Sequence, residues 1–140
     1  MTGPRVNILI ILDTSALIYP FQTGVDFVRG IEESFTAQFT LSVAEGTLNE
    51  LKRLKERGSP SLSIAAGKAL DFARGLSVLR SNAPNTDDQI SELAKQMSAA
   101  VATGDSTLRR RLRESGIPVI FVSRGKRIRI EGNFPPGSIV

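Results

Sequence analysis

The run Ile8-Leu9-Ile10-Ile11-Leu12, closed by Asp13, constrains this chain more than any other stretch. Every side chain in it is aliphatic, with no polar alternation, so a strand formed there must be covered on both faces. That is the condition of a strand inside a parallel sheet flanked by helices, and we expect it at the centre of the sheet. The stretch is far too short to span a bilayer, and no small-residue cleavage site follows Asp13. The expectation is a cytoplasmic protein with no membrane partner.

The rest of the chain supplies partners for such a strand. Apolar spacing predicts short helices over 16–19 and 25–35, parted at Pro20 and Gly24, and then a strand over 38–41. An amphipathic helix over 43–57 stops at Gly58, and a further helix opens at Ser59-Pro60 and closes at Gly75. A strand at 76–79 and a loop at 81–86 lead to a helix over 87–97 and a strand over 99–103. A basic helix over 106–115, a strand over 117–122 and an edge strand over 128–130 complete the pattern. Strands alternating with helices, with no repeat or internal linker, predict one α/β domain over residues 1–132 and a flexible tail over 133–140.

Composition enters through what is missing. The chain has no cysteine and no histidine, which removes thiolate nucleophiles, zinc-thiolate sites and the commonest general base. Chemistry must then rest on carboxylates. In open parallel sheets, sites form beyond the carboxyl ends of the strands. Asp13 and Asp105 each follow an apolar strand there, Asp87-Asp88 opens the helix that feeds the Asp105 strand, and Glu50 lies on a helix able to project to the same end. Gathered carboxylates repel one another unless water or a cation intervenes. An oxygen-only set favours hard ions, so one or two Mg²⁺ or Mn²⁺ ions are expected.

Each acid also has an ordinary structural explanation. Asp13 and Asp105 suit helix N-caps, and Asp87 suits a cap with Asp88 beside it on the helix dipole. Glu50 could pair with Lys52 or Arg53 on a solvated face, and Glu45 with the surface.

Taken together, these segments resemble the PIN-domain ribonucleases. Ile10 to Ile18, with Asp13-Thr14-Ser15, is similar to that family's first motif, and Leu48-Asn49-Glu50-Leu51 to its second. Thr86-Asp87-Asp88-Gln89-Ile90 is similar to the third, and Val101-Ala102-Thr103-Gly104-Asp105 to the fourth, in the family's order. Val25 to Gly30, Leu108 to Leu112 and Gly116 to Val119 resemble the branch that cuts pre-ribosomal RNA in the small-subunit processome, in a minimal archaeal-type form.

The resemblance implies a three-layer α/β/α domain with a central, mostly parallel sheet, acting as a Mg²⁺- or Mn²⁺-dependent endoribonuclease. It implies Asp13, Glu50 and Asp105 as metal-binding and catalytic residues. Asp87 and Asp88 both fit the third motif, with a lean to Asp87. Thr14, Thr103 and Ser106 would orient the carboxylates. A ribosomal RNA precursor is the implied substrate, with a homodimer and a ribosome-assembly partner. The net charge of +4 and pI near 10.0 agree with a polyanionic substrate. Arg109, Arg110 and Arg113 are the expected RNA-binding residues, followed by Lys52, Lys55, Arg124 and Lys126, unless these are ordinary solvated charge. Two other functions fit the same fold: a VapC-type toxin with an antitoxin partner, and a catalytically weak RNA-binding or ribosome-assembly scaffold.

Overall fold

The protein is described by a computed structural model covering residues 7–122 and 128–140. Twelve elements run in the order β1 (Asn7–Leu12), α1 (Thr14–Thr23), α2 (Phe27–Ser34), β2 (Gln38–Ala44), α3 (Glu45–Arg57), α4 (Pro60–Ala73), β3 (Ser77–Leu79), α5 (Thr86–Met97), β4 (Ala100–Thr103), α6 (Ser106–Glu114), β5 (Val119–Val122) and β6 (Ile128–Glu131). They form one sheet of order β3-β2-β1-β4-β5-β6, in which the last pair alone is antiparallel.

The all-aliphatic first strand sits at the middle of that order. Its Ile10, Ile11 and Leu12 have no exposed surface. Ile10 and Leu12 join a core layer with α1, α2, α3 and α4, while Ile11 joins the opposite layer with α5 and α6. The result is the expected three-layer α/β/α arrangement. Each fully buried aliphatic side chain contributes about 1.5–3 kcal/mol of burial free energy. A strand with both faces apolar is therefore held from two sides.

Chain order places a switch point beside β1. The chain first moves outward through β2 and β3 on one side, then returns to lay β4 and β5 on the other, all parallel. The carboxyl ends of β1 and β4 therefore part their following helices to different layers, and a crevice opens between them. The Asp13 N–H donates to the Ala102 carbonyl at 3.1 Å, which locks the end of β1 against β4.

Several boundaries differ from the sequence expectation for local reasons. Helix α1 runs through Pro20 to Thr23 and stops at Gly24, whose φ of 75° few other residues adopt. Pro118 lacks an N–H, and β5 begins after it at Val119. The tail from Asn133, expected to be flexible, makes contacts with the domain. Pro135, Pro136 and Gly137 fold it back, the Ser138 carbonyl accepts from Thr36 N at 2.8 Å, and Val140 N donates to Ser34 O at 2.9 Å. Phe134 also packs on Phe35 with ring centroids 5.2 Å apart. Among the described residues no helix is long and apolar enough to cross a membrane. Arg124, Lys126 and Arg127 lie outside the described residues.

Candidate active site

The crevice at the carboxyl ends of β1 and β4 is a cavity of about 240 Å³, and Asp13, Glu50, Asp87 and Asp105 all line it. Thr14, Ser15, Thr86 and Ile90 complete the lining, so no lysine or arginine lines it among the described residues.

Asp13 is almost fully buried at 5% exposure. Its Oδ1 accepts from Ala16 N at 2.8 Å and from Ser15 Oγ at 2.7 Å, while Oδ2 accepts from Thr103 Oγ1. Burial outweighs these donors and, with the charge of Asp105, pushes its pKa up to about 6. Capping a helix and lining the crevice are thus one arrangement, since the donors that cap α1 also fix the carboxylate's orientation.

Asp105 follows the same plan on β4. Its Oδ1 accepts from Thr107 N at 2.8 Å and Leu108 N at 3.2 Å, capping α6. Its Oδ2 accepts no hydrogen bond among the described residues. Thr103 links the two acids, donating to Asp13 while its Oγ1 accepts from Asp105 N at 3.0 Å.

Glu50 comes from α3, where Thr14 Oγ1 donates to its Oε2 at 2.5 Å. Gly46 lets this helix approach α5. A Cβ at that position would stand 2.6 Å from Gln89 Oε1 and 2.7 Å from Thr86 Oγ1. Gln89 Oε1 instead accepts from Gly46 N at 3.0 Å, pinning the start of α3 to the first turn of α5.

The acidic pair on α5 divides. Asn85 caps the helix, its Oδ1 accepting from Asp88 N at 2.9 Å, so neither Asp is needed as the cap. Asp87 lines the cavity, and burial together with the charges of Asp105 and Glu50 raises its pKa. Asp88 turns away and pairs with Arg111; that hydrogen bond and charge, with Asn85 Nδ2 donating at 2.8 Å, hold its carboxyl below the usual range.

Of the residues expected to orient the acids, Thr14 and Thr103 donate to Glu50 and Asp13, whereas Ser106 is exposed and bonds none of them. Ser15 does what was expected of Ser106. It donates to Asp13 while its Oγ accepts from Gly104 N at 2.8 Å. Its place directly after Asp13-Thr14 was visible in the sequence, but its partner Gly104 lies across the sheet.

The arginines expected to carry RNA are largely occupied. Arg109 Nη1 reaches both oxygens of Glu131 on β6, at 3.1 and 2.9 Å, and its guanidinium lies 4.8 Å from the centre of the Phe121 ring. Arg113 donates to Ile117 O at 3.2 Å. Arg110 is exposed and unpaired among the described residues, as are Lys52 and Lys55 on α3.

An oxygen-only, uncompensated cluster of acids suits a hard divalent cation in its chemistry. Among the described residues no group of three acids is arranged to hold an ion as it stands.

The fold is that of a nuclease family. A family model described as a PIN like domain matches residues 10–126, and the chain belongs to that family. It is similar to the ribonuclease VapC4 of Methanocaldococcus jannaschii, 30% identical over 128 residues that cover 88% of this chain and 96% of the relative. It is 25% identical to the ribonuclease VapC9 of Archaeoglobus fulgidus over 121 residues, covering 86% and 87% of the two chains. Among solved structures it is similar to the PIN domain endonuclease Utp24, with a TM-score of 0.70 at 26% identity, covering 94% of this chain and 95% of that one.

Proposed function

We propose that this protein is a divalent-metal-dependent endoribonuclease that hydrolyses phosphodiester bonds in the crevice between β1 and β4. The observation that carries the proposal is the convergence of Asp13, Glu50, Asp87 and Asp105 on one cavity without a basic residue among its described lining. A scaffold has no use for such repulsion, whereas a cation site requires it.

Asp13, Asp87 and Asp105 are the residues we assign to hold Mg²⁺ or Mn²⁺, with Glu50 either binding a second ion or positioning water. A bound ion supplies positive charge for the phosphate and activates water for in-line attack on phosphorus. The chain's own part is orientation. Thr103 holds Asp13 and the backbone of Asp105 in register, and Ser15 and the Ala16 amide keep Asp13 from turning. Asp88 serves differently, fixing Arg111 and α6 against the start of α5.

The proposed setting is ribosomal RNA processing in the cytoplasm, supported by the likeness to Utp24 over nearly the whole of both chains. A second reading, a VapC-type toxin with an antitoxin partner, is supported by the identity to VapC4. Incubation with labelled RNA and Mg²⁺ tests the shared chemistry. Cleavage to 5′-phosphate and 3′-hydroxyl ends, stopped by EDTA, is expected; products with 2′,3′-cyclic phosphate, or full activity in EDTA, contradict it. Sequenced ends of RNA crosslinked to the protein in cells separate the settings. Ends at precursor boundaries support processing, and ends within mature transfer or ribosomal RNA support the toxin.

A further inference from the structure

A second cavity, of about 280 Å³, shares Ser15 with the acid crevice. Its long wall is one face of α1. Ser15, Ile18, Tyr19 and Gln22 line it, at the spacing that brings residues onto one helical stripe. From Ser15 to Gln22 that stripe rises roughly 10 Å. Leu62 of α4 and Val122 of β5 close the other side, with Gly104 at the floor.

The chemistry of this wall is specific. Tyr19 is the single tyrosine in a chain with no tryptophan. Beside it Ile18, Leu62 and Val122 are apolar, and Gln22 adds one exposed amide with no hydrogen bond among the described residues. An aromatic face, an aliphatic surround and one amide able to both donate and accept are what a purine or pyrimidine ring takes. Gly104 N donates to Ser15 Oγ at 2.8 Å, which fixes the side chain shared by the two cavities.

We propose that this second cavity is a nucleobase subsite, holding the base of a nucleotide adjacent to the scissile phosphate, with Tyr19 as the stacking surface and Gln22 as the reader of the base edge. The inference rests on the nuclease reading above and adds to it where specificity is decided. Ser15, which lines both cavities, donates to Asp13 Oδ1 at 2.7 Å, so the second cavity lies one side chain from the acids.

The test uses the full chain, Mg²⁺ and short RNAs with the nucleotides on either side of the cut randomised, together with one substrate carrying an abasic residue at each position in turn. Wild type should prefer one base at one flanking position. Gln22→Ala should flatten that preference. Tyr19→Leu should raise KM about tenfold, and Tyr19→Phe, which keeps the ring, should restore it. At the same position an abasic residue should raise the wild-type KM by a similar factor and add nothing to Tyr19→Leu. Unchanged preference and KM in both variants, or an abasic penalty undiminished in Tyr19→Leu, overturns the subsite alone. Absence of any RNA cleavage by wild type overturns the nuclease reading and the subsite with it.

Discussion

The acid crevice and the arginine face of α6 are both dense in charge, and they are built on opposite plans. In the crevice, Asp13, Glu50, Asp87 and Asp105 face one another without a basic residue among the described lining, and the pKa values of Asp13 and Asp87 are raised. On α6, Arg109 is spent on Glu131, Arg111 on Asp88 and Arg113 on a backbone carbonyl. Folding alone favours the second plan, because paired charges offset their own desolvation. The first plan costs stability, and under the proposed function a divalent cation offsets that cost. Unpaired charge of one sign is therefore what the proposed site rests on, whereas the richer cluster of charge in the sequence marks how α6 is fastened to its neighbours.

The largest consequence is in activity. Asp13→Asn, Asp87→Asn and Asp105→Asn should each lower metal-dependent RNA cleavage by at least about a hundredfold while the fold persists, since asparagine still caps helices well. Asp88→Asn should keep most of the activity, because its carboxylate serves Arg111. Equal losses at Asp87 and Asp88 in the same cleavage assay would erase the distinction between the two.

Next in size is the cost of the uncompensated charge. Burial pushes the Asp13 carboxyl up to a pKa of about 6 in the fold, from the ordinary 3.8. A raised carboxyl favours the folded state when protonated, so its stabilisation is complete below about 3.8 and is lost as pH rises through about 6. Metal-free protein should lose up to roughly 3 kcal/mol between pH 4 and pH 7 from this group. Urea midpoints across that range check this. Mg²⁺ should restore the loss at pH 7, and Asp13→Asn should flatten the profile. A wild-type midpoint that rises steadily to pH 7 without metal goes against it.

The arginine face gives smaller effects. Arg109→Ala should destabilise by about 1–3 kcal/mol, through the unpaired Glu131 and the uncovered Phe121 ring, with little change in RNA affinity. Arg110→Ala should leave the urea midpoint unchanged and flatten the salt dependence of RNA binding by about 0.7 in the log–log slope, the release expected for one single-strand phosphate contact. Reversal of these two phenotypes would mean that pairing in the free protein does not predict use.

Much of this was legible in the sequence because it depends on local rules. The aliphatic strand fixed its own burial on both faces, and the apolar spacing found each helix to within a few residues. Asp13 and Asp105 were visible at strand ends because strand ends are readable. What escaped depends on partners distant in the chain. Whether Asp87 or Asp88 lines the crevice is decided by Arg111 on another helix and by Asn85 taking the cap. Likewise, Glu131 lies 22 residues beyond Arg109, so no helical spacing could show that this arginine is already held. For the tail, Pro135 and Gly137 signal a turn without saying what the turn returns to; its Ile139 bridges Phe35.

The central claim is that the unpaired acids exist to bind a cation, and Mn²⁺ tests it without reference to any substrate. Electron paramagnetic resonance follows the six-line signal of free Mn²⁺ as protein is added. The account predicts that wild type at pH 7 depletes that signal saturably, that Asp13→Asn with Asp105→Asn abolishes the depletion, and that Asp88→Asn preserves it. A wild-type protein that leaves millimolar Mn²⁺ free, or a double variant that binds as wild type does, would contradict the assignment of the crevice as a metal site.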